Sequence, residues 1–227
     1  MKIGIIVAMS AEFNLLYNLL EQQEEASFGP FKYVCGQFGD KEVMVMKSGI
    51  GKVCAAVGAV EMIKSFQPEL IINSGIAGGI DVSSHVMDIV AGKEIVYHDV
   101  WCGEGNEYGQ VQEFPARYVS DPKLVELVTS IDSDLNVYGG LICSGDQFIT
   151  EKSELAKIKE KFPDGIAVDM ESAALAQVCY LYQIPYLSLR IISDTPGVED
   201  HAAQYANFWS LAPEKSLEVL QHLLRSL

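Results

Sequence analysis

The chain has 227 residues, 49% apolar and 21% charged, which is enough apolar mass to bury a core unaided and excludes a disordered or collagen-like polymer. Sixteen Lys and Arg face 31 Asp and Glu, a formal charge of -15 that repels phosphate backbones and anionic lipid, so neither nucleic acid nor a membrane surface is expected as a partner. The five cysteines form no C-x-x-C pair and mostly sit in apolar stretches, so they read as buried thiols in a reducing, cytoplasmic setting.

The apolar run after Met1 is too short for a signal peptide, and no run reaches the roughly eighteen apolar residues of a membrane span. No Pro/Gly/Ser-rich linker divides the sequence, so residues 1–227 are expected to form one domain.

Residues 3–8 read as a buried strand, after which Phe13, Leu16, Tyr17 and Leu20 recur at helical spacing behind Ser10 as the expected cap. Runs at 31–37 and 42–47 flank Gly39-Asp40, a hairpin signal. Residues 50–66 predict a helix with Ala56, Val60 and Ile63 on its inner face, and 70–73 and 87–97 predict strands. The stretch 98–118 is polar, aromatic and aperiodic, a long loop of the kind that carries function. A helix over 122–131, a strand over 137–143, and a helix capped by Thr150 with Leu155, Ile158 and Phe162 inward come next. A strand over 166–168, a helix over 171–182, a strand over 186–192 and an amphipathic helix over 211–227 complete the chain. This alternation predicts the α/β class, with a central mixed, largely parallel sheet flanked by helices.

Ligands of such sheets bind beyond the carboxyl ends of the strands, where the segments 9–12, 48–51, 73–79, 144–149, 169–171 and 193–194 are placed. Ser48-Gly49-Ile50-Gly51-Lys52 is not a dinucleotide fingerprint, because Cys54 stands three after Gly51. It is not a phosphate loop either, because position 46 is Met and Val53 follows Lys52. A tight strand-to-helix turn accounts for it equally well. Arg190, inside Leu187-Ser188-Leu189-Arg190-Ile191-Ile192, must find a carboxylate or a ligand oxygen, because an unpaired buried charge is costly. Glu12 and Glu171 fall near predicted helix starts, where the dipole favours negative charge, and Asp194 suits a turn cap. Gathered at one sheet edge with Arg190, these carboxylates also suit acid–base chemistry on a small polar molecule. His98-Asp99 has no matching Ser or Cys motif. No cluster has zinc spacing, so neither a metal nor a cofactor is expected.

Taken in order, Ile3-Gly4-Ile5-Ile6-Val7-Ala8-Met9 with Glu12, Lys47-Ser48-Gly49-Ile50-Gly51-Lys52-Val53, Ile71-Ile72-Asn73-Ser74-Gly75 with Ala77-Gly78-Gly79, Ser144-Gly145-Asp146 with Phe148-Ile149, Ala167-Val168-Asp169-Met170-Glu171 and Arg190-Ile191-Ile192-Ser193-Asp194 resemble the bacterial 5′-methylthioadenosine/S-adenosylhomocysteine nucleosidases. The Gly-rich pieces alone are shared with purine nucleoside phosphorylases. The resemblance implies a nucleoside-phosphorylase-like fold, a homodimer, and hydrolysis of an N-glycosidic bond that releases adenine and a 5-thioribose derivative. It implies Glu12 as the base that activates water and Asp194, supported by Ser193, as the acid at purine N7. Arg190 would lie beside the water and Glu171, and Glu171 and Met170 would contact ribose. Phe148 would stack on adenine while the backbone of Ile149 reads its edge, and Met9, Ile50, Ile76, Gly78 and Tyr205 would complete the substrate surface.

Departures from the family pattern are Ile76 for Ser, Asp169 for Glu, which is expected to be benign, and Tyr205 for Phe. Between 98 and 115 the family's partner-lent apolar residues become Trp101, Cys102, Glu104, Asn106 and Gln112, and Trp101 or Phe114 is expected to rebuild that wall. A purine nucleoside phosphorylase is the nearest alternative, but Met9-Ser10-Ala11-Glu12 offers phosphate a carboxylate and no arginine. A catalytically silent nucleoside-binding protein is the other, suggested by Ile76 and the altered loop.

Overall fold

The computed structural model describes residues 1–195, 203–206, 208 and 213–227, with the side chains of the last helix described from Leu217 onward. Strand β1 (Lys2–Val7) is buried from Ile3 to Val7, so it lies inside the sheet, parallel to both neighbours. These are β4 (Lys41–Lys47), paired through Ile3↔Val43 and Ile5↔Val45, and β5 (Leu70–Gly79), paired through Gly4↔Ile71. The other strands are β2 (Glu21–Phe28), β3 (Phe31–Phe38), β6 (Ile89–Tyr97), β7 (Tyr118–Val119), β8 (Val137–Ser144), β9 (Gly165–Asp169) and β10 (Tyr186–Asp194). Their order is β10-β6-β8-β9-β5-β1-β4-β3-β2, with β7 on β6.

Strand β10 also runs along β5, from Tyr186↔Ile71 to Asp194↔Gly78, and β9 meets β5 antiparallel at Gly78↔Val168. Strands β5, β10, β6, β8 and β9 therefore close into a ring, and β1, β4, β3 and β2 extend from it as an open wing. Closure draws the ends of β5, β9 and β10 together. It also corrects the expectation that 73–79 follows a strand: these residues are the second half of β5, held between β10 and β9.

Alternation along β1 sends Ile3, Ile5 and Val7 to one face and Ile6 to the other. On the first face lie α1 (Ser10–Tyr17), α3 (Pro122–Thr129) and α6 (Pro213–Ser226), which contribute Leu16, Leu124, Val128, Leu220 and Leu223. Burial of each such side chain is worth about 1.5–3 kcal/mol, so α6 is held by packing more than by propensity. On the second face α2 (Lys52–Phe66) and α5 (Ser172–Tyr182) pack Ala55, Ala59, Met62, Ala173 and Ala176. Helix α4 (Lys152–Lys161) sits over Leu141 and Cys143 through Ile158, with Phe162 after it.

Several local expectations change. Ser10 is the first residue of α1, and the cap is Met9, whose extended backbone lets Glu12 accept from its N–H. Glu151, not Thr150, caps α4. The buried stripe of α2 is Ala55, Ala59, Met62 and Phe66 together with Ile63, while Ala56 and Val60 are half-buried at its edge. Only Cys143 and Cys179 are buried, and Cys102 is exposed, although all five cysteines are free. Residues 211–212 of the last predicted helix lie outside the described residues. Strand β2 was not expected, because Glu21-Gln22-Gln23-Glu24-Glu25 carries no apolar pattern. It pairs with β3 around Gly29-Pro30, with the Phe28 and Tyr33 rings stacked at 4.5 Å. Among the described residues no helix is long and apolar enough to cross a membrane.

Candidate active site

Where the ring strands end, one cavity of about 110 Å³ collects residues from seven places in the chain. Met9 enters from the start of α1, Ile50 from the turn before α2, and Ile76 and Gly78 from β5. Phe148 and Ile149 follow β8, Met170 and Glu171 join β9 to α5, Ser193 and Asp194 end β10, and Tyr205 closes over the top. Phe148 is 57% exposed and Ile149 only 3%, so the phenyl ring stands at the rim of the cavity while its neighbour is fixed in the core. The rings of Phe148 and Tyr205 meet edge to face at 5.5 Å, and the Tyr205 hydroxyl lies 4.0 Å from Met9 Sδ.

Ala8, Ala77, Gln147, Val168 and Asp169 also line the cavity without having been named as site residues, although Ala77, Gln147 and Asp169 fall within the strand-end segments 73–79, 144–149 and 169–171. A wider concavity of about 830 Å³ lies around Tyr118, Tyr180 and Pro185, with Asp121 as its one lining acid. The smaller cavity, where acids converge, is the candidate site.

Glu12 and Arg190 do not line this cavity but stand behind its wall at Gly75 and Ile76. Glu12 Oε2 accepts from the N–H groups of Met9 at 2.8 Å and Ala8 at 3.0 Å. Burial lifts the Glu12 carboxyl above the usual range, opposed by the Met9 N–H, Arg190 and the Ala8 and Ile76 N–H groups. Asp194 is 2% exposed. The Ser193 hydroxyl donates to Asp194 Oδ1 and lies 3.3 Å from the Ala77 carbonyl oxygen. Glu171 occupies the N-cap of α5, yet its carboxylate makes no bond to that helix. It accepts instead from Gly51 N–H at 2.9 Å. Burial raises Glu171 as well, against the pull of Arg190, with Asp169 adding to the rise.

Arg190 Nη2 stands 3.8 Å from Glu171, the neighbour expected for it, and its closer carboxylate is Asp169, at 2.7 Å from Nε. Asn73 Oδ1 and Ser172 Oγ also accept from the guanidinium, and the Ser172 hydroxyl reaches both Asp169 and Ser188. Burial works against the charge of Arg190, and Asp169 and Glu171 more than restore it. Asp169 is therefore the anchor of a fully buried cation. This finding exceeds the passive role expected of it.

The absent hydroxyl at position 76 also has a visible counterpart, because Ile76 separates the main cavity from a small void beside Glu12. Trp101 and Phe114 lie outside the cavity of this chain. Trp101 is exposed and stacks on Tyr108 at 6.1 Å, and Phe114 meets Tyr180 at 6.2 Å. Among the described residues no group of His, Cys, Asp and Glu is placed to hold a metal ion.

The sequence model of the phosphorylase superfamily matches residues 2–225. Among solved structures, the chain is similar to the 5′-methylthioadenosine/S-adenosylhomocysteine nucleosidase of Neisseria meningitidis in complex with methylthio-immucillin-A, at 35% identity and TM-score 0.95 over 100% of this chain and 99% of that one. It is similar to the Colwellia psychrerythraea nucleosidase in complex with adenine, at 34% identity and TM-score 0.95 over 100% and 96%. The Streptococcus pneumoniae nucleosidase with a transition-state inhibitor matches at 34% identity and TM-score 0.93 over 99% of each chain. A ring-and-wing sheet with acids gathered at the strand ends thus has the architecture of the phosphorylase superfamily. Within it, the chain belongs to the 5′-methylthioadenosine/S-adenosylhomocysteine nucleosidases, which are N-glycosyl hydrolases.

Proposed function

We propose that the chain hydrolyses the N-glycosidic bond of 5′-methylthioadenosine and S-adenosylhomocysteine, releasing adenine and a 5-thioribose derivative. The observation that carries this reading is the pair of buried acids in unlike surroundings. Asp194 lines the cavity beside a hydroxyl, and Glu12 is held by backbone N–H donors behind Ile76. Adenine is a poor leaving group as an anion, so a proton from Asp194 to N7 lowers the barrier as the C1′–N9 pair withdraws into the base. The ribose becomes oxocarbenium-like, water adds to C1′, and its proton passes to Glu12. A carboxyl shifted upward by burial suits that base, because proton transfer is most effective when the pKa lies near the working pH. Glu171 and Met170 hold the ribose, the Glu171 charge opposing the growing positive charge. Phe148 stacks on adenine, the Ile149 backbone reads its edge, and Tyr205 covers the nucleoside.

Water is favoured over phosphate as nucleophile, because Arg190, the buried cation behind the wall, is already held by Asp169. Methylthioadenosine supplied without phosphate should yield free adenine. A strict phosphate requirement with a ribose 1-phosphate product would overturn hydrolysis in favour of phosphorolysis. Tight binding without turnover would leave a silent nucleoside-binding protein. Glu12→Gln and Asp194→Asn should each reduce kcat by about two to four orders of magnitude, the range of acid–base groups, and near-normal turnover would remove that residue from the mechanism.

The working unit in this proposal is a cytoplasmic homodimer in which Trp101 or Phe114 of one protomer walls the 5′ end of its partner's site. The exposure of Trp101 and the five free thiols support it.

A further inference from the structure

We propose that Asp99 is a positioning residue for the carboxylate of Glu171, acting through Asp146, Lys52 and the Gly51 peptide; this rests on the reading of Glu171 as the ribose contact. The first two N–H groups at the start of α2 each go to an acid from a distant element. Gly51 N–H donates to Glu171 Oε1 at 2.9 Å, and Lys52 N–H donates to Asp146 Oδ1 at 2.8 Å. Asp146 is itself fixed, because its own N–H donates to Asp99 Oδ2 at 2.9 Å. The circuit closes through the Lys52 side chain, whose Nζ donates to Asp99 Oδ2 and Oδ1 at 2.8 and 3.0 Å and lies 3.9 Å from Asp146 Oδ2.

The Lys52 and Asp99 side chains are 24% and 20% exposed, which sets that pair apart from a solvated ion pair of negligible worth, while Asp146, at 47%, is held at the surface by its own N–H on Asp99. Gly51 has φ of 91° and ψ of 166°, a conformation essentially confined to glycine. A side chain there would also meet Asp146 Oδ1 at 3.0 Å. The Gly51 residue that aims its N–H at Glu171 is held by the circuit on one side and by the Ala55 N–H, which donates to its carbonyl at 3.0 Å, on the other. Glu171 makes no bond to its own helix, so the Gly51 N–H is the fixed donor that orients it. Asp99 is the second residue of the irregular segment 98–117, so the clamp joins that segment to the ribose end of the site.

The test compares methylthioadenosine with its 2′,3′-dideoxy analogue: misplacement of Glu171 costs the hydrogen bonds from the ribose hydroxyls only in the first, while the carboxylate charge that opposes the growing positive charge stays near both. Loss of one oriented hydrogen bond to a charged group corresponds to about tenfold. Asp99→Ala should therefore lower kcat/KM for methylthioadenosine about tenfold, mainly through KM, and leave the analogue within about twofold. Lys52→Met should act in the same direction, and it stands in for Asp99→Ala should that variant not fold. Glu171→Gln is the reference. If it leaves the ratio between the two substrates unchanged, the reading of Glu171 fails. If it collapses that ratio while the Asp99 and Lys52 variants change both substrates equally, or neither, the positioning role is overturned.

Discussion

Gly75 is the residue at which the site has least room. A Cβ there would lie 2.1 Å from Arg190 Nη1 and 3.1 Å from Glu12 Oε1. The guanidinium has nowhere to retreat, because Asp169, Asn73 and Ser172 hold its other nitrogens. Gly75→Ala should therefore cost about 1–3 kcal/mol, the usual range for an overpacked core, and lower kcat/KM by displacing the Arg190 guanidinium from its partners. Urea denaturation alongside steady-state kinetics checks both, and an unchanged variant would mean that the guanidinium moves freely. Truncation of the cation is worse than crowding it. Arg190→Met leaves Asp169 charged and uncompensated, a loss of about 3–5 kcal/mol, readable in the same denaturation curves. The sequence already required Arg190 to find a carboxylate or a ligand oxygen, since it interrupts an apolar strand. Which acid it finds depends on two positions on either side of the β9 terminus, Asp169 and Glu171, and no pattern along the chain separates them.

Helix α4 illustrates how one cation organises an element. Lys159 Nζ reaches Asp81 Oδ2 at 2.7 Å and the carbonyls of Pro163 and Gly165 at 2.8 Å, tying the end of α4 to the segments after β5 and before β9. Its hydrogen bond, with those from Ser83, holds Asp81 down to about 2. A carboxyl depressed below its ordinary 3.8 contributes stability that is present above that value and fades as pH falls toward 2. Lys159→Met should thus lose about 1–2 kcal/mol at neutral pH. In urea titrations its gap from the parent chain should narrow between pH 5 and pH 2, and a gap constant with pH would refute the linkage.

Elements with their own periodicity, such as the 31–37 and 42–47 hairpin strands and the amphipathic last helix, were legible from sequence within a residue or two. Strand β2 and the second half of β5 were not. Glu21-Gln22-Gln23 carries no apolar alternation, and Ser74, Gly75, Gly78 and Gly79 lack bulk. The first becomes a strand by hairpin pairing with β3, and the second because β10 and β9, distant in sequence, supply the pairing. The cavity residues were legible because short polar segments mark strand ends. The Lys52–Asp99–Asp146 circuit was not, since its members are spread over 95 positions of chain.

At the scale of the whole molecule the question is association. The exposed Val119, Tyr180 and Leu181 line one concavity, and Trp101 is exposed beside Tyr108, more apolar exposure than a solitary acidic chain needs. The proposed dimer should sediment at twice the 24.9 kDa of one chain. Because each protomer carries a formal charge of -15, the dimer should tighten as salt is raised toward about 0.15 M and repulsion is screened. A monomer at every concentration and ionic strength would overturn it. The opposite rim of the molecule behaves differently. Strand β2 ends the wing, and along it Glu21, Glu24 and Glu25 are exposed. A stray strand seeking to lengthen the sheet meets a row of negative charge. That acidic hem is what keeps a fold with a ready template at its border from seeding fibrils.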